Sequence, residues 1–505
     1  MSYIPSLHKQ AWLLAPSIED MIPADHICYL VEALIATIDF TGFDERYAGP
    51  GHPAYHPRVI LKLLVMGVLD KIRSSRKLAR NARENVVYMY LAEKLAPDFR
   101  TISDFRKQNE DLVKQLFKHT VTLAKQEGML DLTQLATDGT KIKANAANKR
   151  SLTKEELEFM TRFVDEELDE WAKQDQIEDE AFGSLRGHDQ LPGKSKKKVQ
   201  AVVRRYVNKT KEKGDAFKED ASRKLEKARQ EMEQHDLNKV STTDTDCRFM
   251  KSKKGKIEFS YNPQVTTDGD GFIIASDVSQ DVTDSKQLKP QVLQTEENLG
   301  QLPEGTSWNF DNGYFGGENL AFLKQKGIDA YIATEKPDPN PYSADKFIHD
   351  PKKNEYTCPA GHVLRFLSER YEKKTARWFS IYKSDNCHTC PHQRSCTKNR
   401  TGVRYLKIRP HPELRDEMIA KMRTKKAQET YSSRAKTVEP AIGCIKHNLG
   451  VRDFLTRGLR TVRTEFTLAC TALNIRKLWL RTRERAAGVV GRVPSHAVLA
   501  SAHSC

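Results

Sequence analysis

The stretch from residue 306 to residue 334 sets the strongest limit on the fold. Its pattern predicts an apolar strand, a turn, a helix that stops at Gly327, and a second strand at 328–333. Two strands joined by a helix run parallel, so this unit predicts an α/β sheet. Asp311 follows the first strand directly, at the sheet edge where open α/β sheets bind ligands. The following Asn312-Gly313 also fits an ordinary turn, so Asp311 alone does not define a site.

A second carboxylate follows another predicted strand. Apolar residues between 130 and 136 indicate a short buried strand that ends at Asp138 and Gly139. Lys141 and Lys143 then alternate on one side, which suits a DNA backbone that passes the carboxylate. The alternative is a plain turn aspartate before glycine.

The stretch from Tyr431 to Lys446 predicts a helix with a polar face. At about 100° per residue, Tyr431, Arg434, Glu439 and Lys446 fall within an arc of about 140°. Pro440 predicts a kink or a helix restart at Glu439. A surface helix with solvated charges is the alternative interpretation.

This run resembles the Tyr-Arg-Glu-Lys signature of bacterial insertion-sequence transposases, which have an RNase H-like catalytic domain of the Asp-Asp-Glu (DDE) class. The phrases TDGTKIKANA around Asp138 and DNGYFGGENL around Asp311 resemble the first and second aspartate motifs of that family. The resemblance implies that Asp138, Asp311 and Glu439 bind catalytic Mg²⁺ or Mn²⁺. It also implies three residues that hold phosphates near the cleaved DNA end: Tyr431, Arg434 and Lys446.

Residues 1 to about 125 have helical apolar spacing and predict an all-α N-terminal domain. Four arginines recur at three- and four-residue steps and predict a basic helical stripe, although a solvated helix face is equally consistent with them: Arg73, Arg76, Arg80 and Arg83. Segments 55–92 and 97–109 resemble the N-terminal domain of the same transposases. That resemblance implies recognition of the element's terminal DNA.

Residues 151–240 are rich in charged side chains and predict a helical insertion, with helices around 154–173 and 215–234. The segment between these helices carries a lysine cluster at 194–198, followed by Arg204 and Arg205, and contact of these cations with DNA is the alternative interpretation. We expect that segment to be a solvated connector.

An inserted module between 336 and 424 carries four cysteines: Cys358, Cys387, Cys390 and Cys396. Four thiolates satisfy a tetrahedral Zn²⁺ and leave no open position, so the pattern predicts a structural zinc. Histidines 362, 388 and 392 are possible substitutes for one thiolate, and four unrelated buried thiols are the alternative.

Bulk properties limit the partners and the compartment. The 505 residues have a net charge of +15, which favours a polyanionic partner such as nucleic acid. No signal peptide or membrane span is evident, and we expect a cytoplasmic, nucleoid-associated bacterial protein.

Residues 450–481 predict an amphipathic helix with basic groups. Glu465 on this helix is a rival third carboxylate.

The predicted architecture is an α/β RNase H-like core, a mixed sheet flanked by helices, with an all-α N-terminal domain, a charged helical insertion and a small zinc-ribbon-like insertion. The predicted divisions are as follows: 1–125, DNA-binding helices; 126–150 and 241–335, core; 151–240, helical insertion; 336–424, four-cysteine zinc-binding insertion; 425–482, C-terminal helices of the core; 483–505, disordered tail.

The resemblance implies a transposase that cleaves the ends of an insertion sequence and joins them to target DNA, acting as a homodimer on terminal inverted repeats. Two alternatives are a nuclease that does not join DNA and a DNA-binding repressor derived from a transposase.

Overall fold

The structure is a computed structural model that describes residues 17–42, 54–173, 180–252, 255–334, 338–372 and 377–488. The parts of the N-terminal prediction at 1–16 and 43–53 lie outside these residues, as do residues 489–505 of the predicted tail. Among the described residues, no helix combines the length and apolar character of a membrane span.

Helices dominate the N-terminal region, as the apolar spacing predicts. They are α1 (Ile27–Ala36), α2 (Pro57–Leu69), α3 (Ser75–Glu84), α4 (Val86–Leu91), α5 (Phe99–Gln108) and α6 (Glu110–Gln126). Their apolar side chains do not form a separate core. They join one continuous cluster with the central sheet and the last helix of the chain, so these helices pack directly on the body that carries the predicted site.

The central sheet begins with β1 (Gln134–Gly139) and β2 (Ile142–Lys143), after which the chain leaves it for the helical insertion. A short antiparallel pair closes the base of the insertion: β3 (Ser151–Leu152) and β4 (Val240–Ser241). Between them lie α7 (Lys154–Arg162), a π-helical turn (Phe163–Glu167), α8 (Leu168–Ala172), α9 (Gly193–Lys213) and α10 (Asp215–Gln234). The insertion has its own apolar core.

The prediction of a solvated connector at 194–198 is wrong. These lysines open α9, a helix of 21 residues. Its apolar face is buried through Val199, Val203, Tyr206 and Val207, which recur at helical spacing. The lysine-rich first turn hid this pattern, because a run of charges by itself indicates a solvated segment.

Five further strands and two helices complete the central sheet: β5 (Arg248–Lys251), β6 (Ile257–Thr267), β7 (Ile273–Ser279), α11 (Leu288–Leu299), β8 (Ser307–Phe310), α12 (Gly317–Gln325) and β9 (Asp329–Ile332). β6 pairs antiparallel with both β7 and β1. β1 pairs in parallel with β8, and β8 pairs in parallel with β9. The mixed sheet and the parallel unit around Asp311 are therefore confirmed.

The cysteine module is a five-stranded antiparallel sheet with one short helix: β10 (Ile348–Asp350), β11 (Glu355–Thr357), β12 (Val363–Glu372), β13 (Arg377–Lys383), α13 (Gln393–Cys396) and β14 (Tyr405–Ile408). The next helix, α14 (Pro412–Met422), packs Leu414 and Met418 into the same apolar cluster as Trp308 and Phe310 of the central sheet. The module therefore ends before α14 rather than at 424.

Three helices end the described chain: α15 (Lys425–Ser432), α16 (Arg434–Gly443) and α17 (Leu459–Ala486). The break in the predicted 431–446 helix lies at Ser433, and Pro440 lies inside α16. A π-helical turn (Cys444–Asn448) then follows α16. The last helix begins at Leu459 rather than near 450, and it extends into the predicted tail as far as Ala486.

Candidate active site

Asp138 lies at the C-terminal end of the central strand β1. Leu135, Ala136 and Thr137 before it are buried, and the Asp138 residue is itself only 5% exposed. One carboxylate oxygen of Asp138 accepts the Gly139 N–H at 2.8 Å. A buried carboxylate at this point needs a charged partner or several donors, because desolvation penalises its ionised form.

Asp311 lies beside Asp138 because the strands that precede them are neighbours. β1 and β8 are parallel, and their register pairs Thr137 with Phe310. The next residue on each strand is an aspartate, and adjacent strands are about 4.8 Å apart. Asp311 also caps a 3₁₀ turn by accepting the Asn312 N–H, and its side chain is half exposed. Two carboxylates thus lie together at one edge of the sheet.

Helix α16 adds the third predicted carboxylate through a shared arginine. A guanidinium nitrogen of Arg434 lies 2.8 Å from Asp138 Oδ2 and 3.9 Å from Asp311 Oδ2. The other terminal nitrogen lies 3.5 Å from Glu439 Oε1. The side chain of Arg434 is nearly buried, whereas Glu439 is half exposed. One guanidinium therefore contacts all three carboxylates that the sequence singles out.

The charges of this cluster shift the pKa values of its members. Burial lowers the pKa of Arg434, but the facing carboxylates, with Asp138 first, outweigh it and raise the pKa above its usual value. Burial raises the pKa of Tyr431, and Asp311 and Asp138 add to that rise. The arginine thus stays cationic and the phenol stays neutral at physiological pH.

Lys446 and Lys141 line the approach to Asp138. The Lys446 ammonium donates to Thr140 Oγ1 and to the Lys141 carbonyl oxygen, the latter at 3.2 Å. The Lys141 ammonium lies 3.5 Å from Asp284 Oδ1, and burial lowers its pKa despite that partner. Lys143 is exposed, further along the same segment.

Asp284 is a carboxylate of this site that the sequence did not reveal. It precedes α11, and its Oδ1 accepts from Asn262 Nδ2 at 2.7 Å and from Gln264 Nε2 at 2.8 Å. A Cβ atom on Gly139 would lie 2.5 Å from Oδ1, and one on Gly313 would lie 3.3 Å from Oδ2. Asp284 therefore lies against both aspartate loops. Asp284 lies outside the motifs that the sequence singles out.

The predicted arginine stripe is only partly correct. Arg73 precedes α3 instead of lying on it, and its guanidinium contacts Glu465 Oε1 at 2.7 Å and the Gly450 carbonyl oxygen at 2.6 Å. Arg73 is therefore a buried structural residue, and its prediction as a DNA contact is wrong. The other three arginines lie on α3 and are exposed: Arg76, Arg80 and Arg83.

Glu465 is excluded as a rival third carboxylate. It is 5% exposed, and besides Arg73 it accepts the Thr456 N–H at 3.0 Å and the Thr456 hydroxyl at 2.7 Å. Its charge is thus satisfied by Arg73 and Thr456, where α17 packs on the N-terminal region.

The four cysteines of the module line one small cavity of about 20 Å³, together with His362 and His392. Burial raises the pKa of Cys396, and the three other cysteines add to that rise. His388 does not line this cavity. Within the described residues, however, no group of three His, Cys, Asp or Glu side chains is arranged closely enough to hold a metal ion. Neither the described thiols of the module nor the described carboxylates around Arg434 form such a group.

Two family models match the chain. Residues 16–108 match a Transposase domain (DUF772), and residues 357–479 match a Transposase DDE domain. The second match contains Arg434 and Glu439, whereas Asp138 and Asp311 precede it. No curated protein matches the chain.

A DDE domain implies an RNase H-like fold and a DNA substrate, and the mixed sheet with flanking helices is consistent with that fold. Both matches are to transposase domains, and together they support an insertion-sequence transposase of the DDE class.

Proposed function

We propose that the chain cleaves DNA at the ends of an insertion sequence and joins the freed 3′ end to target DNA, with Asp138, Asp311 and Glu439 as ligands of divalent cations. The observation that carries this proposal is the contact of one guanidinium, Arg434, with all three carboxylates. Three carboxylates around one cation are a donor set that suits Mg²⁺ or Mn²⁺, which prefer oxygen ligands. Bound there, a pair of such ions would relieve phosphate charge and activate the attacking oxygen.

Arg434 has two roles in this proposal. In the described structure it neutralises carboxylates that would otherwise repel each other beside the buried Asp138. When those carboxylates bind cations instead, its guanidinium is available for a DNA phosphate. Tyr431 and Lys446, which lie beside the same cluster, would hold neighbouring phosphates and position the scissile bond.

The experiment compares wild type with Asp138→Asn on a duplex that carries the inverted repeats flanking the gene. We expect Mg²⁺-dependent cleavage in wild type, none in Asp138→Asn, and unchanged DNA affinity. Asp111→Asn, which changes an exposed carboxylate of α6, is the matched control and should cleave normally. Retained cleavage by Asp138→Asn would reject the assignment.

A second substrate separates the transposase from a nuclease. A pre-cleaved end with a free 3′-OH should be joined to plasmid DNA by wild type and by Asp111→Asn. Cleavage without joining would favour the nuclease, and binding without either reaction would favour a repressor. Because joining uses two ends, we propose a homodimer in the synaptic complex.

We further propose that the four cysteines hold a structural Zn²⁺. Support comes from their shared cavity, since ligands from three separate segments meet there: Cys358, Cys387 with Cys390, and Cys396. Zinc binding requires the thiols to draw closer together than in the described structure. The ion would stabilise the module without taking part in the reaction.

A further inference from the structure

A basic groove lies between the helical insertion and the central sheet. It consists of two cavities of about 350 Å³ and 250 Å³. The first is bounded mainly by residues 143–147 and 453–457 of the core, and the second by α9 and α10 of the insertion. Both are lined by Arg150, Thr243 and Arg457, so they adjoin each other. We call the pair the insertion groove.

The lining of the insertion groove is strongly cationic. Two carboxylates, Asp220 and Asp453, face six cations: Lys143, Arg150, Arg205, Lys209, Lys224 and Arg457. Five of these six are exposed, and Arg205 is half-buried. Asp220 is already paired with Arg223 at 2.8 Å and with Lys224. The remaining positive charge is available to a polyanion in solvent.

Two of these cations, Arg457 and Lys209, contact uncharged neighbours. Arg457 donates to the Asn145 carbonyl oxygen at 3.1 Å and to Asn145 Oδ1 at 3.3 Å. The ammonium of Lys209 lies 5.8 Å from the ring centre of Phe217. These contacts fix the side chains and leave their charge uncompensated. A groove with ordered, uncompensated cations matches the spaced charges of a phosphate backbone.

The insertion groove is also continuous with the candidate active site along the chain. Lys143 follows Asp138 by five residues, which span at most about 17 Å in an extended chain. The Lys143 carbonyl oxygen accepts the Phe454 N–H at 2.9 Å, which ties the floor of the groove to this segment. Successive phosphates of one strand advance about 3.4 Å along the duplex axis, so the Lys143 end of the groove lies within about five base pairs of Asp138.

We propose that the insertion groove binds the backbone of duplex DNA next to the scissile phosphate, so that the helical insertion acts as a clamp on the same DNA. This inference rests on the proposed function for its substrate. It assigns a role to the helical insertion, residues 151–240.

The test uses the full-length double variant Arg150→Gln/Lys209→Gln and a fluorescein-labelled, mixed-sequence DNA duplex. Affinity is measured over a range of salt concentrations. Each lost phosphate contact reduces the slope of log K against log salt by about 0.9, so the double variant should reduce it by about 1.8 and bind about tenfold or more weakly near 0.1 M salt. Unchanged circular dichroism would show that the variant is folded.

The matched control is Lys194→Gln/Lys197→Gln, which removes the same charge from exposed positions of α9 that do not line the groove. Its slope should stay within about 0.5 of wild type. An equal fall for both double variants, or no fall for the groove variant, would overturn the proposal. Failure of the proposed function is distinguishable, because wild type would then show no Mg²⁺-dependent cleavage whatever the groove variant binds.

Discussion

Replacing Arg73 with methionine should destabilise the protein rather than weaken its DNA binding. The Arg73 and Glu465 side chains are only 9% and 5% exposed and lie 2.7 Å apart. Arg73 also donates to the Gly450 carbonyl oxygen, so it joins the N-terminal helices to the segment between α16 and α17. Removing one partner of a buried pair leaves an uncompensated charge and costs about 3–5 kcal/mol. That is a large part of a total stability of about 5–15 kcal/mol.

The size of this loss should depend on pH. Burial raises the pKa of Glu465, but Arg73 first and Arg106 second outweigh it, so the pKa in the folded state is lowered. A carboxylate whose pKa is lower in the folded state than in the unfolded state stabilises the fold. This stabilisation is complete above the unfolded-state pKa of about 4.3, and it disappears as the pH falls through the folded-state pKa. The difference between wild type and Arg73→Met should therefore be largest near neutral pH and shrink below about pH 4.

Urea unfolding followed by circular dichroism measures this loss. Arg76→Met is the matched control, because Arg76 is exposed on α3 and its change should cost less than about 0.5 kcal/mol. The same two variants are then titrated with DNA. If Arg73→Met lost less than about 1 kcal/mol of stability and weakened DNA binding more than Arg76→Met did, the buried-pair interpretation would be refuted.

Three further perturbations address other parts of the site. Asp284→Asn keeps the size of the side chain but removes the charge that faces Lys141, so cleavage should slow by about 10- to 100-fold with unchanged DNA affinity; an unchanged rate would exclude a positioning role. Arg80→Gln should reduce the salt slope of DNA binding by about 1, and an unaltered slope would mean that α3 does not touch DNA. Purified wild type should contain about one zinc per chain and Cys387→Ser should contain less, whereas zinc-free wild type would contradict the proposed four-cysteine site.

The relative positions of Asp138 and Asp311 were predictable in principle, because each follows a strand and these two strands run parallel as neighbours in the mixed sheet. The pattern of residues 306–334 predicts parallel β8 and β9, and the carboxyl ends of parallel strands share one edge. The parallel pairing of β1 with β8 is a contact between distant parts of the chain. Glu439 was identified as the third carboxylate from a sequence motif, and not from any prediction of how the helix packs. Its contact with Arg434 depends on where α16 lies against the sheet.

Other features depend on contacts between distant parts of the chain. Arg73 belongs to the same periodic series as Arg76, and only the partner at Glu465 distinguishes a buried arginine from an exposed one. The fold of the 280–287 loop places the carboxylate of Asp284 against Gly139 and Gly313, which follow the two aspartates closely in the chain. The apolar face of α9 was present in the sequence, but the preceding lysines and the Gly and Pro residues before them outweighed it. The helix breaks at Ser433 instead of Glu439, and Arg434, the first residue after the break, contacts Asp138.

An anomalous-scattering experiment on crystals soaked in Mn²⁺ tests the central claim most directly. We expect a manganese peak bound by oxygens of Asp138 with Asp311 or Glu439, and loss of that peak in Asp138→Asn crystals. Manganese bound only elsewhere, or no peak at these three carboxylates in well-soaked crystals, would contradict the proposed metal site.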